Sequence, residues 1–279
     1  PIGFHHFLLQ IHQSPFPCAI KNDGTLWGWG AAGHGQLGQN DRVAHSSPVQ
    51  VGSETTWKTL SIAGVNARSV GGIKTDGTLW TWGDNSNFTL GQSTSAPADV
   101  SSPVQVPGTT WKSVLMDGKA FMGLKTDGTL WVCGANQDGA LGHNDKTQYS
   151  SPKQIPGTTW GDSFGGWDNV HAAVKTDGTL WSWGTNGNGE LGLNDRNEYS
   201  SPKQVPGTTW RKICQGFGDS ASLGLKTDGT LWAWGLNETG VLGLNQAHEA
   251  NISSPTQVPG TTWDNVSHSF NHVMATKTD

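Results

Sequence analysis

The sequence of 279 residues has little cysteine, little charge and no long apolar segment. Its three cysteines, Cys18, Cys133 and Cys214, are odd in number and lack metal-ligand spacing, so they indicate neither a disulfide framework nor a zinc site. No apolar run approaches the ~20 residues that a membrane-spanning helix needs, and we expect no membrane span. The net charge is −5 and no run of Lys or Arg occurs, which argues against a nucleic-acid partner.

Motifs of common enzymes are missing as well. The sequence contains no HExxH, no GxSxG and no P-loop, and its histidines are scattered. Aspartates recur before glycine at equivalent places, whereas a catalytic site normally breaks internal symmetry, so we interpret them as turn residues. The Asn-Asp pairs at Asn40, Asn144 and Asn194 lack the carboxylate density of a calcium loop and are also interpreted as turns. We therefore predict no catalytic activity, no cofactor and no metal site.

The sequence is rich in glycine (39) and tryptophan (15), and it repeats itself. The phrase K-T-D-G-T-L-W starts at Lys74, Lys125, Lys175 and Lys226, a near-copy starts at Lys21, and a shortened copy starts at Lys277. The period is about 51 residues, and the landmarks S-S-P and T-T-W recur with it. One structural unit is therefore repeated along the whole chain.

Each repeat is interpreted as four strands. The first starts at the T-T-W tryptophan, and the second ends at Lys-Thr-Asp. Asp-Gly then predicts a tight hairpin of type I′, which needs positive φ at both central residues. In the third strand, Trp27 and Trp29 point to one face and Leu26 to the other, so both faces are apolar. The fourth strand, S-S-P-x-Q, contains a proline and is expected at a sheet edge.

Two sets of residues recur at equivalent positions and are predicted to be structural. The tryptophans of the third strand are Trp27, Trp29, Trp80, Trp82, Trp131, Trp181, Trp183, Trp232 and Trp234. The Asp-Gly turns, besides the one in the first repeat, are Asp76 and Gly77, Asp127 and Gly128, Asp177 and Gly178, and Asp228 and Gly229.

A four-stranded antiparallel sheet that is apolar on both faces and repeated is the blade of a β-propeller. We therefore predict an all-β fold with a single propeller over residues 1–279. Its blades are predicted at residues 4–56, 57–110, 111–159, 160–209 and 210–262, with a partial blade at 263–279. A linear β-solenoid is the alternative, although solenoid repeats are shorter and lack an Asp-Gly hairpin in each repeat.

The pattern K-T-D-G-T-L-W-x-W-G followed by G-x-L-G resembles the repeat of the regulator of chromosome condensation (RCC1) family. It is most similar to bacterial and phage versions of that repeat. The resemblance implies a propeller of seven blades, of which about five and a half are present, so we expect a fragment of a longer chain. It implies no single function, because RCC1-like propellers include exchange factors, enzyme inhibitors, ubiquitin-ligase modules and secreted or phage-associated proteins.

Candidate binding residues lie where the repeats differ, because loops carry function in repeated scaffolds. Trp167 is the one tryptophan outside a repeat position, and it stands in the segment G-G-W-D-N-V-H with Asp168 and His171. Its residue type is enriched in binding hot spots, although it could also fill a local gap. Further candidates lie in the connection between L-G and S-S-P, namely Arg42, Lys146, Arg196 and His248.

The most favoured function is a non-catalytic protein-interaction or structural role. Polar loops and regular repetition suggest an extracellular, cell-surface or virion-associated component, whose partners would be other virion or cell-surface proteins. One alternative is a regulator that docks one propeller face on an enzyme or small GTPase, as an exchange factor or inhibitor does. A second alternative is a carbohydrate-binding propeller with a glycan ligand, which predicts equivalent pockets in successive repeats.

Overall fold

A computed structural model describes residues 16–62, 68–93, 98–167, 169–215, 221–246, 251–269 and 272–278. These residues form twenty-one β-strands and turns, and no helix occurs among them. Accordingly, this part of the chain offers no helical segment that could span a membrane.

Each repeat contributes its strands in chain order. The first repeat contributes β1 (Cys18–Ile20), β2 (Leu26–Gly30) and β3 (His45–Gln50). The second contributes β4 (Trp57–Ile62), β5 (Ser69–Lys74), β6 (Leu79–Gly83) and β7 (Val100–Gln105). The third contributes β8 (Trp111–Met116), β9 (Ala120–Lys125), β10 (Leu130–Gly134) and β11 (Tyr149–Gln154).

The later repeats keep the same pattern. The fourth contributes β12 (Trp160–Trp167), β13 (Val170–Lys175), β14 (Leu180–Gly184) and β15 (Tyr199–Gln204). The fifth contributes β16 (Trp210–Gln215), β17 (Ala221–Lys226), β18 (Leu231–Gly235) and β19 (Ile252–Gln257). The last two strands are β20 (Trp263–Ser269) and β21 (His272–Lys277).

The chain divides into two compact units. The first comprises Pro1–Ala135 with Gln148–Gln154, and the second comprises Asn136–Thr147 with Ile155–Asp279. The first unit holds the sheets of the first three repeats, and the second holds the sheets of the fourth and fifth repeats and the β20–β21 pair.

Every sheet is an antiparallel meander in which consecutive strands are neighbours. Four strands form each sheet of the second to fifth repeats, as predicted, and the first of them begins at the T-T-W tryptophan. The strand predicted to start at Phe4 lies outside the described residues. The proline strands β3, β7, β11, β15 and β19 all lie at sheet edges, where a missing N–H leaves no gap in the ladder.

Both faces of a sheet are apolar and packed, which confirms the predicted alternation. In β6, Leu79 belongs to an apolar cluster with Trp111 of the third repeat, whereas Trp82 belongs to a cluster with Leu26 and Leu37 of the first. The indole N–H of Trp82 donates to the Gln36 carbonyl at 2.9 Å, so this large side chain is buried without an unpaired donor. Each sheet therefore contributes one layer to a stack within its unit.

The Asp-Gly hairpin differs from the predicted type I′ turn. Gly77 has φ 78°, but Asp76 is not at positive φ. The Gly77 N–H donates to the Lys74 carbonyl at 3.0 Å, and the Lys74 N–H donates to the Thr78 carbonyl at 3.0 Å. The loop is thus three residues long, a type I turn followed by a left-handed glycine. The prediction was wrong because it assumed the two-residue loop that Asp-Gly most often forms.

The aspartate of this hairpin has a side-chain role that repeats along the chain. Asp76 Oδ1 accepts the Thr78 N–H at 2.9 Å and the Thr78 hydroxyl at 2.7 Å, and the hydroxyl oxygen accepts the Trp80 indole N–H at 2.9 Å. The Thr78 backbone and side-chain hydrogen bonds hold the pKa of Asp76 below its usual value. Interpreting the recurring aspartates as turn residues therefore agrees with their contacts.

Candidate functional site

In each sheet the third strand ends, and the fourth strand begins, at the same end. We call this end the loop end, because the connection between the two strands lies there. Within it an asparagine at positive φ turns the chain, and its N–H donates to a serine carbonyl in the fourth strand of the next repeat. These bonds join Asn40 to Ser101 at 2.7 Å, Asn144 to Ser200 at 2.6 Å, and Asn194 to Ser253 at 2.7 Å. The geometry supports the turn interpretation and fixes each loop against its neighbour.

Two residues after each asparagine stands one of the basic residues predicted to bind a partner. Each basic group reaches the residue two positions before the Ser-Ser-Pro motif of the next repeat. Arg42 Nη2 lies 3.5 Å from Asp99 Oδ2, Lys146 Nζ lies 3.5 Å from Glu198 Oε2, and Arg196 Nη2 lies 3.5 Å from the Asn251 carbonyl. These three equivalent residues form what we call the basic series.

The basic series is held only loosely. The side chains of Arg42 and Lys146 are 56% and 59% exposed, and Arg196 is exposed as well. Exposed ion pairs of this length contribute ~0–1 kcal/mol, so a competing carboxylate from a partner could replace them at little cost. The charged groups are therefore available for recognition at the loop end of three sheets.

The predicted segment around Trp167 also lies at a loop end. Trp167 stands opposite Val170 in the β12–β13 hairpin, and Val170 pairs with Gly184, where the connection carrying Arg196 begins. The Trp167 side chain is half-buried. Because both segments leave the same end of one sheet, Trp167 and Arg196 share the loop end of the fourth repeat. Asp168 and His248 lie outside the described residues.

His171 occupies a different environment. It is 1% exposed, its Nδ1 lies 2.8 Å from the Ala140 carbonyl, and its ring stacks on Trp183 at 6.2 Å. Gly166 makes room for it, because a Cβ there would lie 2.1 Å from the imidazole. The structure therefore makes His171 a packing residue that fixes the hairpin bearing Trp167, and its side chain does not reach the surface.

At the opposite end of the sheets lies a feature that sequence reasoning missed. The repeated lysine stacks between a first-strand and a third-strand tryptophan; Lys226 Nζ lies 4.7 Å from the Trp210 ring centre and 4.1 Å from that of Trp232. Lys74, Lys125 and Lys175 do the same in their repeats. Cation–π contacts explain why the lysine recurs. The lysine and its two tryptophans recur at constant positions in the repeats, and this recurrence could have indicated the contact from the sequence.

A second missed feature is confined to the first unit. His34, Asp84 and Asp99 converge beside Arg42, and their ligand-type atoms lie within 4.8 Å of one another. No sequence motif joins these residues, since they come from separate connections of two repeats. The signal that could have revealed them is that they depart from the residues found at the same positions elsewhere in the chain.

Comparisons with known proteins agree with the fold. The family model of the regulator of chromosome condensation (RCC1) repeat matches residues 23–64, 76–115, 127–166, 177–226 and 228–275. Protein RCC2 homolog of Danio rerio is 30% identical over 135 residues, which are 46% of this chain and 27% of that protein. The ultraviolet-B receptor UVR8 of Arabidopsis thaliana is 28% identical over 125 residues, 44% of this chain and 28% of that protein.

Solved structures give the same result. Human WBSCR16 superposes with a TM-score of 0.78 at 18% identity over 95% of this chain and 70% of its own. Prp20p from Saccharomyces cerevisiae superposes with a TM-score of 0.77 at 17% identity over 95% and 67%. The matched segments cover less than a third of the length of each curated relative. The superpositions on solved structures cover 95% of this chain. With five matched repeats and antiparallel four-stranded blades, the chain belongs to the RCC1 repeat family of β-propellers.

Proposed function

We propose that this chain is a non-catalytic protein-binding propeller that recognises its partner through the loop ends of its sheets. The observation that carries the proposal is the basic series, in which Arg42, Lys146 and Arg196 occupy one position in three repeats and remain exposed. The equivalent turns, prolines and tryptophans of the repeats serve packing, whereas these charged groups contribute little to it. Acidic side chains of a partner would complement each of these groups.

Relatives support protein binding as the general role. The structure of Prp20p is described together with its binding properties to Gsp1p and histones, and a second structure shows Kap60 bound to yeast RCC1. Both superpose on this chain with TM-scores of at least 0.76, although at 20% identity or less. Their partners are proteins, which is the class that we propose for this chain.

The test compares two triple charge reversals in the whole chain. R42E/K146E/R196E reverses the basic series, and K58E/K112E/K153E makes the same change in net charge at exposed lysines of the first and fourth strands. We expect affinity-purified partners, quantified by mass spectrometry, to fall at least tenfold for the first variant only. Equal loss in both variants, or no loss in the first, would show that the loop ends do not form the interface.

A regulator that docks on a small GTPase is the second candidate function, and the relative described with Gsp1p favours it. Purified Gsp1p is therefore the defined probe. Saturable binding, with faster nucleotide release from Gsp1p, would support an exchange-factor role; binding with no change in release would support an inhibitor or scaffold. Absence of binding at micromolar protein would leave protein recognition intact and remove this candidate.

The finer predictions from the sequence concern the setting of the protein. An extracellular, cell-surface or virion-associated role, an origin among bacterial or phage repeats, and a glycan ligand stay predictions based on composition and pattern. Fractionating the natural source, with the protein followed by antibody, distinguishes these settings from an internal one. A glycan array tests the carbohydrate alternative directly.

A further inference from the structure

The group formed by His34, Asp84 and Asp99 breaks the internal symmetry of the chain. Its three residues lie in connections that follow or precede β2, β6 and β7, all within the first unit. In the other repeats, the position of His34 is occupied by Asn87, Asp138, Asn188 and Thr239. The position of Asp84 is occupied by Ala31, Ala135, Thr185 and Leu236. The position of Asp99 is occupied by Ala44, Gln148, Glu198 and Asn251. Among the described residues, one histidine and two aspartates meet only here.

The distances within this group suit a single metal ion. His34 Nδ1 lies 3.0 Å from Asp99 Oδ2 and 3.8 Å from Asp84 Oδ2. Nitrogen and oxygen ligands bind Zn²⁺ at ~2.0–2.2 Å, which separates neighbouring ligand atoms by about 3–3.5 Å. The two distances from His34 Nδ1 are within a few tenths of an ångström of this spacing, and the three ligand atoms all lie within 4.8 Å of one another.

The two carboxylates are oriented for this purpose by backbone contacts. Asp84 Oδ1 accepts the Ser86 N–H at 2.8 Å, and Asp99 Oδ1 accepts the Asn85 N–H at 3.4 Å. Each aspartate thus uses Oδ1 for the fold and turns Oδ2 toward His34 Nδ1. Contacts of this kind orient metal ligands in known sites and raise affinity. The side chains of His34, Asp84 and Asp99 are 30%, 20% and 18% exposed, so an ion has a path of entry.

Two arginines contact this group. Arg68 Nη1 contacts His34 Nε2, and Arg42 Nη2 lies 3.5 Å from Asp99 Oδ2. Both arginines are exposed and can swing into solvent. A divalent ion would replace their combined charge. Metal binding at Nδ1 also moves the neutral imidazole's proton to Nε2, which then cannot accept a hydrogen bond from Arg68.

We propose that His34 Nδ1, Asp84 Oδ2 and Asp99 Oδ2 bind one divalent transition-metal ion of the Zn²⁺ type, in exchange for Arg42 and Arg68. Three protein ligands leave at least one coordination position for water or for a partner's side chain. The ion would tie the connection after β2 to both ends of the β6–β7 connection. The sequence predicted no metal site because the ligands are far apart in the chain.

The experiment titrates the whole chain with Co²⁺, whose visible absorption reports coordination, and with Zn²⁺ by calorimetry. His34→Asn is the principal variant, because asparagine occupies the same position in the second and fourth repeats and should preserve the fold. We expect one ion per chain in the native protein and a loss of affinity of at least about 100-fold in His34→Asn and Asp84→Asn. Glu198→Gln, at the position equivalent to Asp99, is the matched control and should bind normally.

Removing the competing cations gives a second and opposite readout. Arg68→Ala and Arg42→Ala should each strengthen Zn²⁺ binding, by up to about fivefold, because the ion no longer displaces them. A native protein that shows no Co²⁺ absorption and no Zn²⁺ heat at millimolar metal would overturn the proposal. So would unchanged affinity in His34→Asn, since the ion would then lie elsewhere. Weaker binding in the arginine variants would refute the exchange.

Discussion

Cys133 stands directly opposite Phe121 in the antiparallel pair β9–β10, and both side chains are fully buried. The corresponding pairs in three other repeats are Trp82 with Val70, Trp183 with His171, and Trp234 with Ser222. In the third repeat, therefore, the larger side chain of the pair lies on the second strand and the smaller one on the third strand, the reverse of those three repeats. Phe121 fills the space and meets Trp111 edge-to-face at 6.0 Å.

This exchange predicts a strong coupling between the two positions. Cys133→Trp alone should cost about 1–3 kcal/mol by overpacking, and Phe121→Val alone should cost about 2 kcal/mol by leaving a cavity. The double variant restores the arrangement of the second repeat and should recover most of the loss. Urea unfolding of the four proteins gives the coupling free energy. Losses that simply add would show that the two side chains do not share one space.

The hydroxyl of the hairpin threonine is predicted to matter more than its methyl group. Thr129 Oγ1 donates to Asp127 at 2.6 Å and accepts the Trp131 indole N–H at 2.8 Å. Thr129→Val removes both hydrogen bonds and should lower the free energy of unfolding by about 1–2 kcal/mol. Thr126→Val, at an exposed residue of the same turn, is the control and should change it by less than about 0.5 kcal/mol. Equal effects would refute the hydrogen-bond relay.

Backbone strain is predicted at the threonine that precedes β8, β12, β16 and β20. Thr110 has φ 66°, which is unusual for a β-branched residue, and Thr159, Thr209 and Thr262 have φ of 65–67°. Thr110→Gly relieves the strain and should stabilise the protein by about 1 kcal/mol, net of the greater freedom of glycine in the unfolded chain. Thr109→Gly lacks this benefit and should destabilise it. Thermal unfolding of the two variants tests the sign of each effect.

A buried histidine predicts loss of stability in acid. His268 is 6% exposed and stands at the position of Ile62 and Met116. Burial, with a smaller contribution from His272, lowers the pKa of His268 from 6.5 to about 4. As the pH falls below 6.5, the unfolded chain binds a proton at His268 that the folded chain does not bind. The contribution of neutral His268 to the free energy of unfolding is therefore complete above pH 6.5 and declines as the pH falls toward 4.

His268→Met should remove that dependence, because methionine fills the equivalent position in the third repeat. The difference in unfolding free energy between native protein and variant should be constant above pH 7 and should shift in favour of the variant between pH 6 and 4.5. Urea unfolding at five pH values measures it. A difference that does not change with pH would mean that His268 is not kept neutral by the fold.

The sequence was sufficient for the fold because the repeat shows each position several times. Tryptophan alternation, the edge prolines and the start of the first strand at Trp111 were all predicted from recurrence. The turn type was not, since Lys-Thr-Asp-Gly-Thr is compatible with loops of two or three residues. The place of His171 depends on Gly166 across the pair, which no local pattern reveals. Asp84 and Asp99 form a group with His34 only in the folded chain, so the sequence alone could not predict that group.

Strand β21 illustrates what an incompletely paired sheet implies for handling this protein. Among the described residues it pairs with β20 alone, and Met274 is 69% exposed, whereas Met122 at the equivalent position is 1% exposed. Its outer row of N–H and C=O groups is a template for any extended chain, including one from another copy. Met274→Lys should therefore reduce self-association of this chain, because a charged side chain on an edge strand opposes pairing with another copy.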